Sequence, residues 1–69
     1  LQLIRNEYIS AILSFDKALS LDPLNSLALF NKGIANYELG RYEDALFCFN
    51  KCISICFSIH NFFITIIKI

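Results

Sequence analysis

A chain of 69 residues has room for one small domain with a modest core. Six Lys and Arg residues balance six Asp and Glu residues, and aromatic residues are not interleaved with arginines, so no nucleic acid is expected as a partner. Three cysteines and no leading signal-peptide pattern argue against a secreted disulfide scaffold. They predict a cytoplasmic, or at least intracellular, chain with reduced thiols.

The first predicted helix runs from Glu7 to Leu21, because apolar residues recur there every three or four positions. Its apolar face comprises Tyr8, Ala11, Ile12, Phe15, Ala18 and Leu19. The helix is expected to end before Pro23, which disfavours helical geometry in the preceding residue. Asp16 and Lys17 fall on the outer face, where we expect solvated charges.

Two more helices are predicted after this proline. Asn25 or Ser26 can cap the second helix by accepting a hydrogen bond from a free backbone N–H, and Gly40 can take the left-handed conformation that often ends a helix. The third helix starts near Tyr42, with an apolar face of Tyr42, Ala45, Leu46, Phe49, Cys52 and Ile53. Small residues on the three helices would let the helix axes approach closely: Ala11, Ala18, Gly33 and Ala45. The sequence therefore predicts an all-α fold of three helices with an apolar C-terminal tail.

An internal repeat relates the first and third helices at an offset of 34 residues. The identical pairs are Tyr8 and Tyr42, Ala11 and Ala45, Phe15 and Phe49, Lys17 and Lys51, and Ser20 and Ser54. Because these pairs fall at helix-face spacings, they indicate the same helix in two successive structural repeats.

The repeated unit resembles a known family. Residues 25–59 are similar to a tetratricopeptide repeat through Gly33, Tyr37, Gly40, Tyr42, Ala45 and Phe49. Residues 7–25 resemble the second helix of the repeat before it, closed by Asp22 and Pro23. The chain departs from the family's pattern at Leu29 and Asn36, where aromatic residues are common, and at Cys56 and Phe57, where Asp and Pro would close the repeat.

The resemblance implies antiparallel helix-turn-helix repeats of an α-solenoid. It divides the chain into residues 1–24, the second helix of a preceding repeat; residues 25–57, one helix pair; and residues 58–69, a divergent apolar tail. Repeats of this family bind proteins or peptides and do not catalyse reactions, so the resemblance implies a protein–protein interaction module with no cofactor and no catalytic residue.

The resemblance also implies a partner-binding groove along the second helix, which is the first helix of its pair. Its groove residues would be Leu27, Phe30, Asn31, Ile34 and Glu38. Family members that grip a C-terminal carboxylate use an Asn at the place of Asn31 together with basic residues from flanking repeats, and those flanking helices are missing here. We therefore interpret Asn31 as a solvated polar residue. One and a half repeats leave apolar faces open, which predicts a fragment, the end of a longer array, or a chain that associates with itself or with a partner.

A stripe of possible metal ligands follows the third helix at Cys48, Cys52, Cys56 and His60. Twelve residues of helix span roughly 18 Å, whereas zinc needs its ligands within about 2.0–2.3 Å. No metal site is therefore expected, and the cysteines are interpreted as structural. A catalytic pair of Cys56 and His60 lacks any group to orient the imidazole.

The tail, from Phe57 to Ile69, leaves three hypotheses open. It continues the third helix, or forms a short one, and covers the open end of the stack. It inserts in a membrane, although its apolar run from Phe62 to Ile67 is short against the roughly 20 residues of a span. Or it is a translated non-coding stretch, since Ile, Phe, Asn and Lys have AT-rich codons. The second hypothesis makes the chain a small membrane-associated helical protein, which is the alternative to a partner-binding module.

Overall fold

The computed structural model describes the backbone of residues 2–68 and the side chains of residues 4–68. Its three helices are α1 (Gln2–Leu21), α2 (Ser26–Glu38) and α3 (Tyr42–Lys68), and no strand occurs within the described residues. Short turns join them, so neighbouring helices run antiparallel, and α2 packs against both α1 and α3. The predicted all-α fold is confirmed, although α1 begins at Gln2 rather than at Glu7.

The turn between α1 and α2 is held by two side chains that accept backbone hydrogen bonds. Asp22 Oδ1 accepts from the N–H of Leu24 at 3.1 Å, which fixes the chain around Pro23. Asn25 Oδ1 accepts from the N–H of Ala28, also at 3.1 Å, and so caps the first turn of α2. Of the two predicted caps, Asn25 therefore performs this role.

Replacing Asn25 by alanine is expected to lower the free energy of unfolding by about 0.5–2 kcal/mol, because an N–H at the start of α2 loses its acceptor. Urea denaturation followed by far-UV circular dichroism measures this change. Asn25→Asp is the matched control, since a carboxylate caps as well as an amide and should preserve stability. Equal losses in both variants would mean that the cap is not what stabilises this turn.

The turn between α2 and α3 depends on Gly40, whose φ of 79° lies in the left-handed region. The N–H of Gly40 donates to the carbonyl of Tyr37 at 3.0 Å, and the N–H of Arg41 donates to the carbonyl of Asn36 at 2.8 Å. These two bonds form a Schellman motif, which satisfies carbonyls that a helix end leaves open. Gly40 therefore ends α2 as predicted, and the rings of Tyr37 and Tyr42 meet edge-on across the turn at 5.3 Å.

The core lies along α2. Its buried apolar residues are Ile12, Ala28, Leu29, Ala35, Ala45 and Cys48. Gly33 is buried beside Phe49, and a Cβ atom built on this glycine would lie 2.5 Å from Phe49 Cε1. The prediction that small residues allow close approach is therefore confirmed at Gly33 and at the buried Ala45. Ala11 and Ala18 are only half-buried.

The buried face of α3 differs from the predicted one. Ala45 and Cys48 are buried, whereas Tyr42, Leu46 and Ile53 are all more than half exposed. The prediction was wrong for these three residues because α3 packs on α2 along one narrow face. Their side chains point about a third of a turn away from it, toward space that no helix of the described residues fills.

The apolar tail continues α3 without a break as far as Lys68. Every residue from Cys56 to Lys68 is exposed, so the segment does not fold back over the open end of the stack. Of the three hypotheses for the tail, the first is right that the segment continues the third helix and wrong that it covers the stack, because an uninterrupted helix projects along its own axis beyond α2. We call residues 57–68 the α3 extension; at about 1.5 Å per residue it is roughly 18 Å long.

Candidate partner-binding surface

The groove residues predicted from the resemblance lie along one side of α2. Leu27 is 68% exposed, Phe30 47% and Ile34 39%, so all three apolar side chains are accessible. Asn31 is half-buried among them, and Glu38 is exposed at the end of the helix. Their spacing of three and four residues places them on one helix face.

The local fold explains why this face stays open. The other sides of α2 carry its buried residues, among them Ala28, Leu29 and Ala35, which fill the space toward the neighbouring helices. Once these are packed, the remaining strip of the helix stays largely exposed, with Phe49 of α3 bordering it only at Phe30. An apolar strip that survives packing on the other sides of its helix is a candidate contact surface for another chain.

A shallow apolar cleft borders the groove residues on the side of α3. The rings of Phe30 and Phe49 lie 5.7 Å apart at 52°, and with Cys52 and Ile53 they line a cleft of about 250 Å³. This is less than the roughly 300 Å³ at which small-molecule pockets begin, so the cleft suits one side chain of a partner. From the sequence, Phe49 and Ile53 were assigned to helix packing alone. Their four-residue spacing places them on one face of α3, and this was the signal that they line one cleft beside the groove.

A polar cleft lies on another side of α2, where all three helices meet. It has a volume of about 270 Å³, and its lining includes Asp16, Lys32, Asn36, Arg41 and Asp44. Lys32 Nζ forms an ion pair with Asp16 Oδ1 at 2.5 Å. Asp16 is exposed on the outer face as predicted, but it also forms this ion pair, which the sequence did not predict. Because both side chains are partly exposed, the pair contributes at most about 1 kcal/mol, and its main effect is to align α1 with α2.

The cysteines have three different environments. Cys48 is buried at the polar cleft, and burial raises the pKa of its thiol, although Lys32 and a hydrogen bond from Asn36 oppose that shift. Cys52 is half-buried and donates its S–H to the carbonyl of Ser26 at 3.4 Å; burial and the neighbouring Cys56 raise the pKa of its thiol. Cys56 is exposed. The raised pKa values keep the thiols of Cys48 and Cys52 neutral, and neutral thiols are poor nucleophiles.

No three His, Cys, Asp or Glu side chains of the described residues converge as metal ligands would. Within the same residues, α3 is the one helix long and apolar enough to cross a membrane by length and composition.

Comparison with known proteins agrees with the resemblance to a tetratricopeptide repeat. The family model for the tetratricopeptide repeat matches residues 26–57. A tetratricopeptide repeat and J domain-containing co-chaperone of Fusarium oxysporum f. sp. lycopersici is 40% identical over 53 residues, which are 77% of this chain and 10% of that protein. An uncharacterised protein of Methanocaldococcus jannaschii is 44% identical over 41 residues, 59% of this chain and 48% of that protein. No solved structure matches significantly.

The chain spans about a tenth of the length of the co-chaperone and about half of the length of the Methanocaldococcus jannaschii protein. The family match ends at residue 57, close to the point at which α3 leaves the helix stack. The predicted division of the chain at residues 24 and 57 stays a prediction. The tetratricopeptide repeat is in general a non-catalytic repeat for protein interaction.

Proposed function

We propose that the chain, whose residues 26–57 match the tetratricopeptide-repeat family, binds a peptide or protein partner along the groove residues of α2. In this function α1 is the second helix of a preceding repeat, and α2 and α3 are one helix pair of a larger array. The chain performs no catalysis and needs no cofactor. Its three free thiols suit a reducing compartment such as the cytoplasm.

The observation that carries this proposal is the apolar strip of Leu27, Phe30 and Ile34, which remains exposed although α2 packs against two other helices. Apolar side chains of a partner would bury this strip, and one of them would enter the cleft between Phe30 and Phe49. Asn31 offers an amide that both donates and accepts hydrogen bonds, as a peptide backbone requires. Glu38 at the end of the strip favours a partner with a basic residue at that position.

The partner class follows from these side chains. A segment with two or three apolar residues and a basic residue at one end fits them, and an acidic C-terminus does not, because the groove residues include no cation. The fungal relative is a co-chaperone by name, which agrees with a polypeptide as the partner. We infer that the partner is a polypeptide segment of this kind.

The test is selection of binders from a random peptide display library against the full chain, followed by affinity measurement with fluorescence anisotropy. Ile34→Arg should weaken the selected peptides by tenfold or more, because a cation replaces buried apolar surface, worth about 1.5–3 kcal/mol. Leu13→Arg is the matched control, since Leu13 is exposed on α1 away from the groove residues. The affinity of the Leu13→Arg chain for the selected peptides should be unchanged.

Two outcomes would contradict the proposal. If the library yields no binder, α2 offers no groove for a peptide. If Ile34→Arg and Leu13→Arg weaken binding equally, the selected peptides bind elsewhere on the chain. Circular dichroism of both variants checks that neither unfolds, which is expected because both positions are exposed.

A further inference from the structure

Among the described residues, the α3 extension carries the densest run of exposed large apolar side chains. Its exposed large apolar residues are Phe57, Ile59, Phe62, Phe63, Ile64, Ile66 and Ile67. The family match ends where it begins, and no other described helix packs on it. Such a surface normally contacts a partner, and its shape and charge indicate what kind.

The distribution of polar residues around the extension is uneven. Ser58, Asn61, Thr65 and Lys68 recur at steps of three and four residues, so at about 100° per residue they form one stripe roughly 80° wide. Apolar residues, with His60 among them, occupy an arc of roughly 220°. One partner helix covers a stripe of about 100°. A second copy of the chain, pairing through its own extension, would therefore leave about half of the apolar arc in water, whereas lipid covers all of it.

The charges on this part of α3 also favour a lipid surface. No charged residue lies between Lys51 and Lys68, and no acidic residue follows Asp44. Both lysines lie on or beside the polar stripe, where their ammonium groups can meet anionic headgroups. Thr65 donates its hydroxyl to the carbonyl of Asn61 at 2.9 Å, so that this polar group needs no water when the helix enters lipid.

The length of the α3 extension determines how deeply it can enter a bilayer. α3 as a whole is long enough to cross a bilayer, but its first part packs on α2, where Cys52 contacts the start of that helix. The extension is about 18 Å long, compared with a hydrocarbon core of about 30 Å. Residues 57–68 by themselves therefore reach into one leaflet. A slanted entry keeps Lys68 and the polar stripe near the headgroups.

The turn between α1 and α2 lies at the end of the helix stack from which the extension projects. Leu21 and Leu24 beside this turn are exposed, so two more apolar side chains lie at the same end of the stack as the base of the extension. A membrane that receives the extension would meet these leucines at its surface without any helix having to move.

We propose that the α3 extension inserts at a slant into one leaflet of an anionic lipid membrane and holds the repeat at the membrane surface. This site is separate from the groove residues of α2, so the two proposals fail independently. The groove then faces partners that are themselves at or near a membrane.

Flotation of the full chain with lipid vesicles tests this proposal. The chain should float with vesicles of phosphatidylcholine and phosphatidylserine, and less with phosphatidylcholine alone. Phe63→Asp, at the centre of the apolar arc, should weaken binding at least tenfold, whereas Leu13→Asp, an equally exposed position on α1, should not. Lys68→Gln should weaken binding about fivefold, and only on the anionic vesicles.

Failure to float with either vesicle type would overturn the proposal, and so would equal losses in Phe63→Asp and Leu13→Asp. Sedimentation velocity without lipid identifies the competing occupant. A dimer that Phe63→Asp dissociates, together with no flotation, would assign the extension to a second copy of the chain.

Discussion

Leu29→Ala is expected to lower the free energy of unfolding by about 2–5 kcal/mol, which is much of the stability that a chain of this size can have. Leu29 is only 4% exposed and is the largest aliphatic side chain buried on α2. Because α2 packs against both other helices, a cavity here loosens the contacts that hold all three together. Urea denaturation followed by circular dichroism should show unfolding at a much lower urea concentration.

Leu27→Ala is a stringent control for this prediction. It makes the same chemical change two residues earlier in the same helix, so the difference in helix propensity cancels. Leu27 is 68% exposed, and the expected change is within about 0.5 kcal/mol. Similar losses in the two variants would mean that the burial of Leu29 is not what stabilises the packing of α2. The prediction would then be wrong.

The elements of this fold were predictable because local signals and packing agree. Asn25 caps α2, and Gly40 ends it in the conformation that the sequence indicated. These features depend on a few neighbouring residues, whose backbone preferences do not change with the rest of the fold. The agreement of the two repeat copies then gave the antiparallel arrangement, since equivalent helices must pack in equivalent ways.

Side-chain partners across helices were harder to predict. Asp16 was expected in solvent because it lies on the polar side of α1, but the rotation of α2 brings Lys32 against it. Leu46 and Ile53 were expected in the core because they are apolar. A periodicity of three and four residues marks an apolar face without saying how much of it a neighbouring helix covers. In this chain the covered part is the narrow strip around Ala45 and Cys48.

The candidate site was predictable only in part, for the same reason. The apolar groove residues followed from the resemblance and from helix geometry, whereas the contribution of Phe49 to the groove depends on how close α3 comes to α2. That distance is set by Gly33, which has no side chain to separate the two helices. The direction of the tail was also beyond sequence reasoning, because no Pro or Gly marks where α3 leaves the stack.

Gly33→Ala is expected to destabilise the chain by about 1–2 kcal/mol, although alanine is the better helix former by about 0.5–1 kcal/mol. The added Cβ would lie 2.5 Å from Phe49 Cε1 and 2.8 Å from Phe49 Cδ1, distances at which atoms overlap. The Phe49 ring must then move toward Phe30 and the cleft that both rings line, or α2 and α3 must separate. Either change costs packing between the two helices. Denaturation in urea measures the net effect.

A sharper test is the sign of the change in stability that Gly33→Ala causes in a chain that also carries Phe49→Ala. Phe49→Ala removes the ring that the new methyl group would meet, and costs stability by itself. In that background Gly33→Ala should stabilise by about 0.5–1 kcal/mol, since only the gain in helix propensity remains. If Gly33→Ala stabilises the chain even when Phe49 is present, the Phe49 ring must move aside at little cost in free energy. The close approach at Gly33 would then not be what sets the distance between α2 and α3, and the width of the cleft beside Phe30 would have to depend on other contacts.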